Sequence, residues 1–360
     1  MIDGRGVFRW HVRLREALLL VAGLLAWAPL PVVGAPPAPE RLFAHADLMT
    51  PEAVAAIERG LAFLAEYQLD DGAFAASGRG RGVAFSALAG MAFLADGTTP
   101  DRGPHAVVVR RAIEYLLACG SIDEGLIADP ETRGRGPMYG HGFATLFLCE
   151  TYGMSDEPQL RAQIAAAVQL VVRAQNEEGG WRYAPQPADA DVSVTVCQVM
   201  ALRAARNAGI AVPKSVMDRA VRYVRECQND DGGFRYMRAP QDQPSGFART
   251  AAGVVALYNA GIYQDPQLDR GLDYLMQFLP GKDAPDVGGY YYYGHYYAVQ
   301  AMWHAGGDRW RTWYPAIRDQ LITRQASDGS WNDAQGKVYA TAMACIVLQT
   351  PNNLLPILQR

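Results

Sequence analysis

The chain has 360 residues, half of them hydrophobic, with 33 basic against 37 acidic side chains and a net charge of −4. Such a composition supports a large core and lacks the basic excess of a nucleic-acid surface, so nucleic acid is excluded as a partner. Five cysteines, Cys119, Cys149, Cys197, Cys227 and Cys345, sit in helical apolar runs without CxxC spacing, which excludes a zinc ribbon or a dithiol redox pair.

At the N-terminus, Arg5, Arg9, Arg13 and Arg15 precede the apolar run Ala17 to Leu30, and a Pro-rich stretch follows. Basic, then apolar, then small residues is the order of a secretory signal peptide, here residues 1–34, with 35–50 as a linker. An uncleaved anchor is the alternative. Either way the chain is expected to be exported, periplasmic or extracellular, and to touch membrane only through this segment.

Residues 51–355 are a repeat. The order Gln, three turn-forming residues, Gly, any residue, aromatic occurs as Gln68, Gly72, Phe74; as Gln175, Gly179, Trp181; as Gln228, Gly232, Phe234; and as Gln325, Gly329, Trp331. An amphipathic run precedes each match, such as Ile57, Leu61 and Leu64, and predicts a helix that the Asp/Glu-Gly segment stops. A more apolar helix follows each, over 83–94, 192–202, 245–257 and 338–348. Weaker copies, with Gly120 and Leu279 in the Gln position, fill the gaps and give a period of roughly 50 residues. The reading is an all-α chain of six helical hairpins forming one domain, because stacked repeats share a continuous core.

Arg59-Gly60, Phe63-Leu64, Gln68 and Gly72-Ala73-Phe74 resemble the QW repeat of the squalene and oxidosqualene cyclases. Related hairpins build the β subunits of protein prenyltransferases. The resemblance implies an (α/α)6 toroid, with an inner and an outer ring of six helices and any chemistry on the inner ring. The Gln and aromatic residues of the repeat then bond helix ends and pack between hairpins, and the acidic pairs beside them are turn chemistry.

Three stretches carry polar residues toward the expected interior. Asp189-Ala190-Asp191-Val192-Ser193 resembles, in part, the Asp-x-Asp-Asp-Thr acid motif of squalene-hopene cyclases. On that likeness Asp191 would protonate an alkene, with Asp189 as its neighbour, but Val192 replaces the last Asp. Asp191 or Ser193 as a helix N-cap is the competing reading. Tyr139-Gly140-His141 and Tyr293-Gly294-His295 form a matched pair three repeats apart. Facing one pore, His141 and His295 would serve as acid and base or hold a metal with Asp189 or Asp191. Alternatively each His caps its helix or bonds a nearby loop.

No Asp-x-Cys, the start of the prenyltransferase zinc site, occurs, and Cys119-Gly120 continues as Ser121-Ile122, which lacks the Gln of a thioester. No cofactor is called for. The tyrosines between 290 and 297, among them Tyr292, Tyr293 and Tyr296, together with Tyr139, either line an apolar pocket where cation-π attraction operates or simply pack at a loop-helix junction. Arg249 would hold an anion, answer Asp191, or cover a rim. Two functions remain open: an apolar, isoprenoid-binding toroid with acid-initiated cyclase or isomerase chemistry, and a toroid that only binds a ligand or a protein.

Overall fold

Thr50 starts the first helix, its hydroxyl accepting the Ala53 amide at 3.2 Å while Pro51 fixes φ in the first turn. The structure, a computed structural model, describes residues 46–359 apart from 77–79, 132, 135, 282 and 283. The expected signal peptide and residues 35–45 of the linker lie outside the described residues.

Twelve α-helices follow among the described residues. Six are outer: α1 Pro51–Glu66, α3 Ala106–Ala118, α5 Leu160–Arg173, α7 Lys214–Glu226, α9 Pro266–Met276 and α11 Gly307–Arg324. Six alternate with them as inner helices: α2 Val83–Ala95, α4 Met138–Thr151, α6 Val192–Asn207, α8 Phe247–Asn259, α10 Tyr291–Ala305 and α12 Lys337–Gln349. Their burial explains the division. Outer α7 buries only Val216, Met217, Ala220, Tyr223 and Val224, one stripe, whereas α6 buries every residue from Val192 to Leu202. Helix α8 starts at Phe247 rather than Ser245, because the Ser245 hydroxyl is committed to the preceding turn, donating to Asp231 Oδ1 at 2.7 Å. A two-residue antiparallel ribbon pairs Ala75–Ala76 with Gly80–Arg81.

The ring closes. Each inner helix packs on the next, α2 on α4, α4 on α6, α6 on α8, α8 on α10 and α10 on α12, and α12 then packs on α2. The repeat residues make the joints. Gln175 Nε2 donates to the Gly179 carbonyl and to Val216 of the next outer helix, both at 2.8 Å. Gln68 reaches Val108 and Gln228 reaches Gln267 in the same way. Gln325 donates to Ala56 of α1 at 2.8 Å, so the last joint is chemically the same as the others.

Behind each Gln the aromatic residue is fully buried. Burial of such a ring is worth roughly 2 kcal/mol or more, which assigns it to packing. Its backbone N–H donates to a hydroxyl in the first turn of the following inner helix: Phe74 to Ser86, Trp181 to Thr195, Phe234 to Thr250 and Trp331 to Thr341, at 2.9 to 3.1 Å.

The C-terminal segment covers one end of the ring. Gln349 Nε2 donates to Ala92 O at 2.9 Å, Trp303 Nε1 to Leu358 O at 3.0 Å, and the Ile357 amide to Glu150 Oε2 at 3.1 Å. Leu355, Ile357 and Leu358 are buried, so packing continues past the expected boundary at 355. These contacts fall at the C-terminal ends of the inner helices and leave their N-terminal ends as the open face. Among the described residues no helix is long and apolar enough to cross a membrane.

Candidate functional site

Aligned on their first buried apolar residue, Val83, Met138, Val192, Phe247, Tyr292 and Val338, the inner helices share a second position: Ala84, Tyr139, Ser193, Ala248, Tyr293 and Tyr339. All six second-position residues line one cavity of about 890 Å3. The ring therefore builds its cavity from the N-terminal turns of every inner helix. Loops add further wall residues, among them Tyr183, Tyr236 and Asp333, each two residues after a repeat aromatic, and 287–290. Phe85, Phe143 and Phe247 complete a mainly aromatic wall.

One part of the cavity wall is made of hydroxyls among rings. The Tyr293 hydroxyl donates to Ser193 O at 3.3 Å, and Tyr139 from the opposite inner helix stands beside both Ser193 and Tyr293. Burial pushes both phenols well above their ordinary pKa, so they remain neutral donors. Phe143 meets Tyr296 edge-on at 6.3 Å, and Tyr297 packs against Tyr296.

The matched pair thus meets through its tyrosines and not through its histidines. Residues four apart share a helix face, as Tyr139 and Phe143 do, and a residue midway between them lies on the far side. His141 accordingly faces outward, accepting the Ile127 amide at Nδ1 and donating from Nε2 to Ala167 O of α5, both at 3.2 Å. It occupies the fourth position, that of Ser86, Thr195, Thr250 and Thr341. Ile127 lies two residues beyond Gly125, as Phe74 lies beyond Gly72, so this histidine performs the hydroxyl's task in a weak copy. His295 is the fourth-position residue of α10 and is enclosed by Phe247, Tyr291 and Trp313. Burial lowers the two imidazoles to about 4 and about 3, so both are neutral near pH 7. Neither reaches the cavity, which removes the geometric basis for an acid-base pair or a shared metal there. Among the described residues no three His, Cys, Asp or Glu side chains converge to hold a metal ion.

Asp191 caps α6, its Oδ1 accepting the Val194 amide at 2.9 Å. The carboxyl has no exposed surface, and burial raises it to about 6 against the opposing pull of the Val194 amide, Arg182 and Tyr236. Its Oδ2 has no hydrogen-bond partner and stands 3.8 Å from Arg182 Nε. Arg182, not Arg249, is its counter-charge. The same guanidinium lies 3.6 Å from Asp189, which is half exposed, and covers the rings of Tyr183 and Tyr236 at 5.0 and 5.4 Å. Those two phenols are hydrogen-bonded to each other. The Asp191 and Val192 amides fix the loops that carry them, donating to Trp181 O and Tyr236 O at 3.0 Å. Asp191 is therefore screened from the cavity by the wall residue Tyr236. Of the expected ligand contacts, Tyr139, Tyr293 and Arg249 are on the wall, while Tyr292 and Tyr296 are in the core behind it.

Comparison with known families agrees with this geometry. The squalene-hopene cyclase C-terminal domain model matches residues 144–282, and the prenyltransferase α/α toroid domain model matches 48–164. The chain is an α/α toroid, and these two stretches of it are similar to the squalene-hopene cyclase and prenyltransferase domains. Among solved structures, the toroid is similar to the type II terpene cyclase MstE from Scytonema, at 15% identity and a TM-score of 0.57 over 84% of this chain and 99% of that one. A single-residue variant of MstE in complex with the substrate geranylgeranyl dihydroxybenzoate gives 14% identity and 0.56 over 84% and 98%. The GH76A α-1,6-mannanase from Salegentibacter sp. gives 10% identity and 0.58 over 84% and 99%. Likeness at these identities is a likeness of fold. No curated protein matches the sequence.

Proposed function

We propose that the toroid encloses an apolar, isoprenoid-type small molecule in its aromatic cavity. One observation carries the reading: the second residue of all six inner helices, three of them tyrosines, and the loop tyrosines converge on one cavity of about 890 Å3. Volumes of about 300–1,000 Å3 with apolar walls and a few polar groups are what small-molecule sites present. The glycosidase-like toroids offer a different precedent, but glycoside cleavage needs two carboxylates at the site, and Asp333 is the one carboxylate on this wall among the described residues. The N-terminal segment would deliver the toroid outside the cytoplasm.

A second reading adds chemistry, and the orphaned Oδ2 of Asp191 favours it. With a carboxyl near 6, Asp191 carries its proton over the mildly acidic range and could pass it to an alkene once Tyr236 moves aside. Purified protein is to be extracted for bound lipid and then incubated with polyprenyl substrates, with products read by mass spectrometry. Recovery of a bound prenyl chain supports enclosure, and an empty cavity that refuses all chains overturns it. Product formation that Asp191→Asn abolishes supports the chemistry; no product leaves a binding protein, and product unchanged in that variant removes Asp191 as the acid.

A further inference from the structure

Arg249 places a cationic group on an otherwise mainly aromatic wall. Its Nη2 donates to Pro244 O at 3.0 Å, while Nε is buried without a hydrogen-bond partner. Among the described residues no carboxylate lies within ion-pairing distance of it. The neighbouring acids are engaged elsewhere: Asp333 Oδ1 accepts the Gln335 amide at 2.8 Å, and Asp231 Oδ1 accepts from Gly233 and Ser245. Gly246 makes the room, since a Cβ there would stand 2.6 Å from Arg249 Nη2. Helix α8 also differs from α6 at its start. Asp191 caps α6 with a carboxylate, but Gly246 gives α8 no side-chain acceptor, so the positive end of that helix reinforces the guanidinium.

A partly buried guanidinium on a cavity wall, with its Nε–H buried and unused, is stabilised by an anion that supplies two oxygens. We propose that Arg249 is the anchor for an anionic head, carboxylate or phosphate, of an amphiphile whose apolar chain fills the cavity. The proposal rests on the enclosure reading above and narrows its ligand to one with a charged end. The head sits at Arg249 and the start of α8, and the chain runs toward Phe143, Tyr139 and Tyr293.

The test is calorimetric titration of the full chain with geranylgeranyl phosphate, geranylgeranoic acid, geranylgeraniol and inorganic phosphate. The expected result is about 10- to 100-fold tighter binding of the two anionic chains than of the alcohol, the range of a charge-assisted hydrogen bond. Arg249→Met should erase that preference, so that the anionic chains bind no tighter than the alcohol, and Arg249→Lys should keep part of it. Thermal melting confirms that both variants are folded. Equal binding of alcohol and phosphate by the wild type, or an undiminished preference in Arg249→Met, overturns the anchor. If inorganic phosphate binds through Arg249 and no chain binds, the anion site stands and the enclosure reading falls; if nothing binds, both fall.

Discussion

His141 shows how one side chain can look catalytic and be structural. Its Nδ1 receives the Ile127 amide where four other hairpins use a Ser or Thr hydroxyl, and its burial lowers the imidazole to about 4. In the unfolded chain an imidazole takes its proton near 6.5, before the folded one does, so the folded state loses stability as pH falls from 6.5 through 4. His295 acts in the same direction, with its loss extending to about 3. His141→Asn keeps an acceptor for Ile127 and removes the titration. Urea midpoints at pH 7.5 and pH 4.5 should therefore show the wild type ahead at the higher pH and its lead shrinking or reversing at the lower. A lead that does not change with pH would mean that the buried imidazole is not what titrates.

The joint between hairpins depends on the repeat glycine as much as on the glutamine. Gly329 has φ of 84° and lies against the Arg59 backbone of α1, where a Cβ would stand 2.6 Å from the carbonyl oxygen. Gly209 has a similar φ of 75° but open space around it. Gly209→Ala should cost only the left-handed strain, about 1 kcal/mol, while Gly329→Ala adds a clash with backbone and should cost at least about 2 kcal/mol more. Equal losses in chemical denaturation would show that the joint is loose. Gln325→Ala removes both bonds to Ala56 and Gly329 and should cost about 2 kcal/mol, since two carbonyls lose their donor. These joints were legible in the sequence, because Gln, Gly and an aromatic residue recur at fixed spacing. The cavity was only partly so. Helical phase already sets Tyr139 and Tyr293 opposite to His141 and His295, yet the repeated Tyr-Gly-His drew attention to the imidazoles. Tyr183 and Tyr236 share a repeat position, two residues after the aromatic, but spacing does not say where a loop side chain points; the pairing of Asp191 with Trp181 and of Val192 with Tyr236 aims them. The weak second copy was hidden by an exchange: Gln163 from the next outer helix fills the space that a side chain at Gly120 would need.

At the scale of the whole ring the two ends do different work. The N-terminal face carries the cavity, and the C-terminal face is covered by a tail held through residues far apart in sequence, among them Glu150 and Ile357. Glu150 is buried there, and burial raises its carboxyl to about 8 against the pull of the Ile357 amide. The sign is opposite to that of the histidines. The folded state keeps this proton from about 4.5 up to 8 while the unfolded state has released it, so the contribution is most favourable at low pH and is lost as pH rises through 8. Glu150→Gln retains an acceptor for Ile357 and no longer ionises. It should be more stable than the wild type at pH 9 by an amount on the order of 3 kcal/mol, and should show little advantage at pH 4. Because the substitution lies at the end of α4 remote from Tyr139, ligand affinity should not change with it. Guanidinium denaturation at the two pH values, with chain binding measured alongside, separates the possibilities. A variant equally stable at both would show that the tail tolerates the charge, and altered binding would show that the two faces of the ring are coupled.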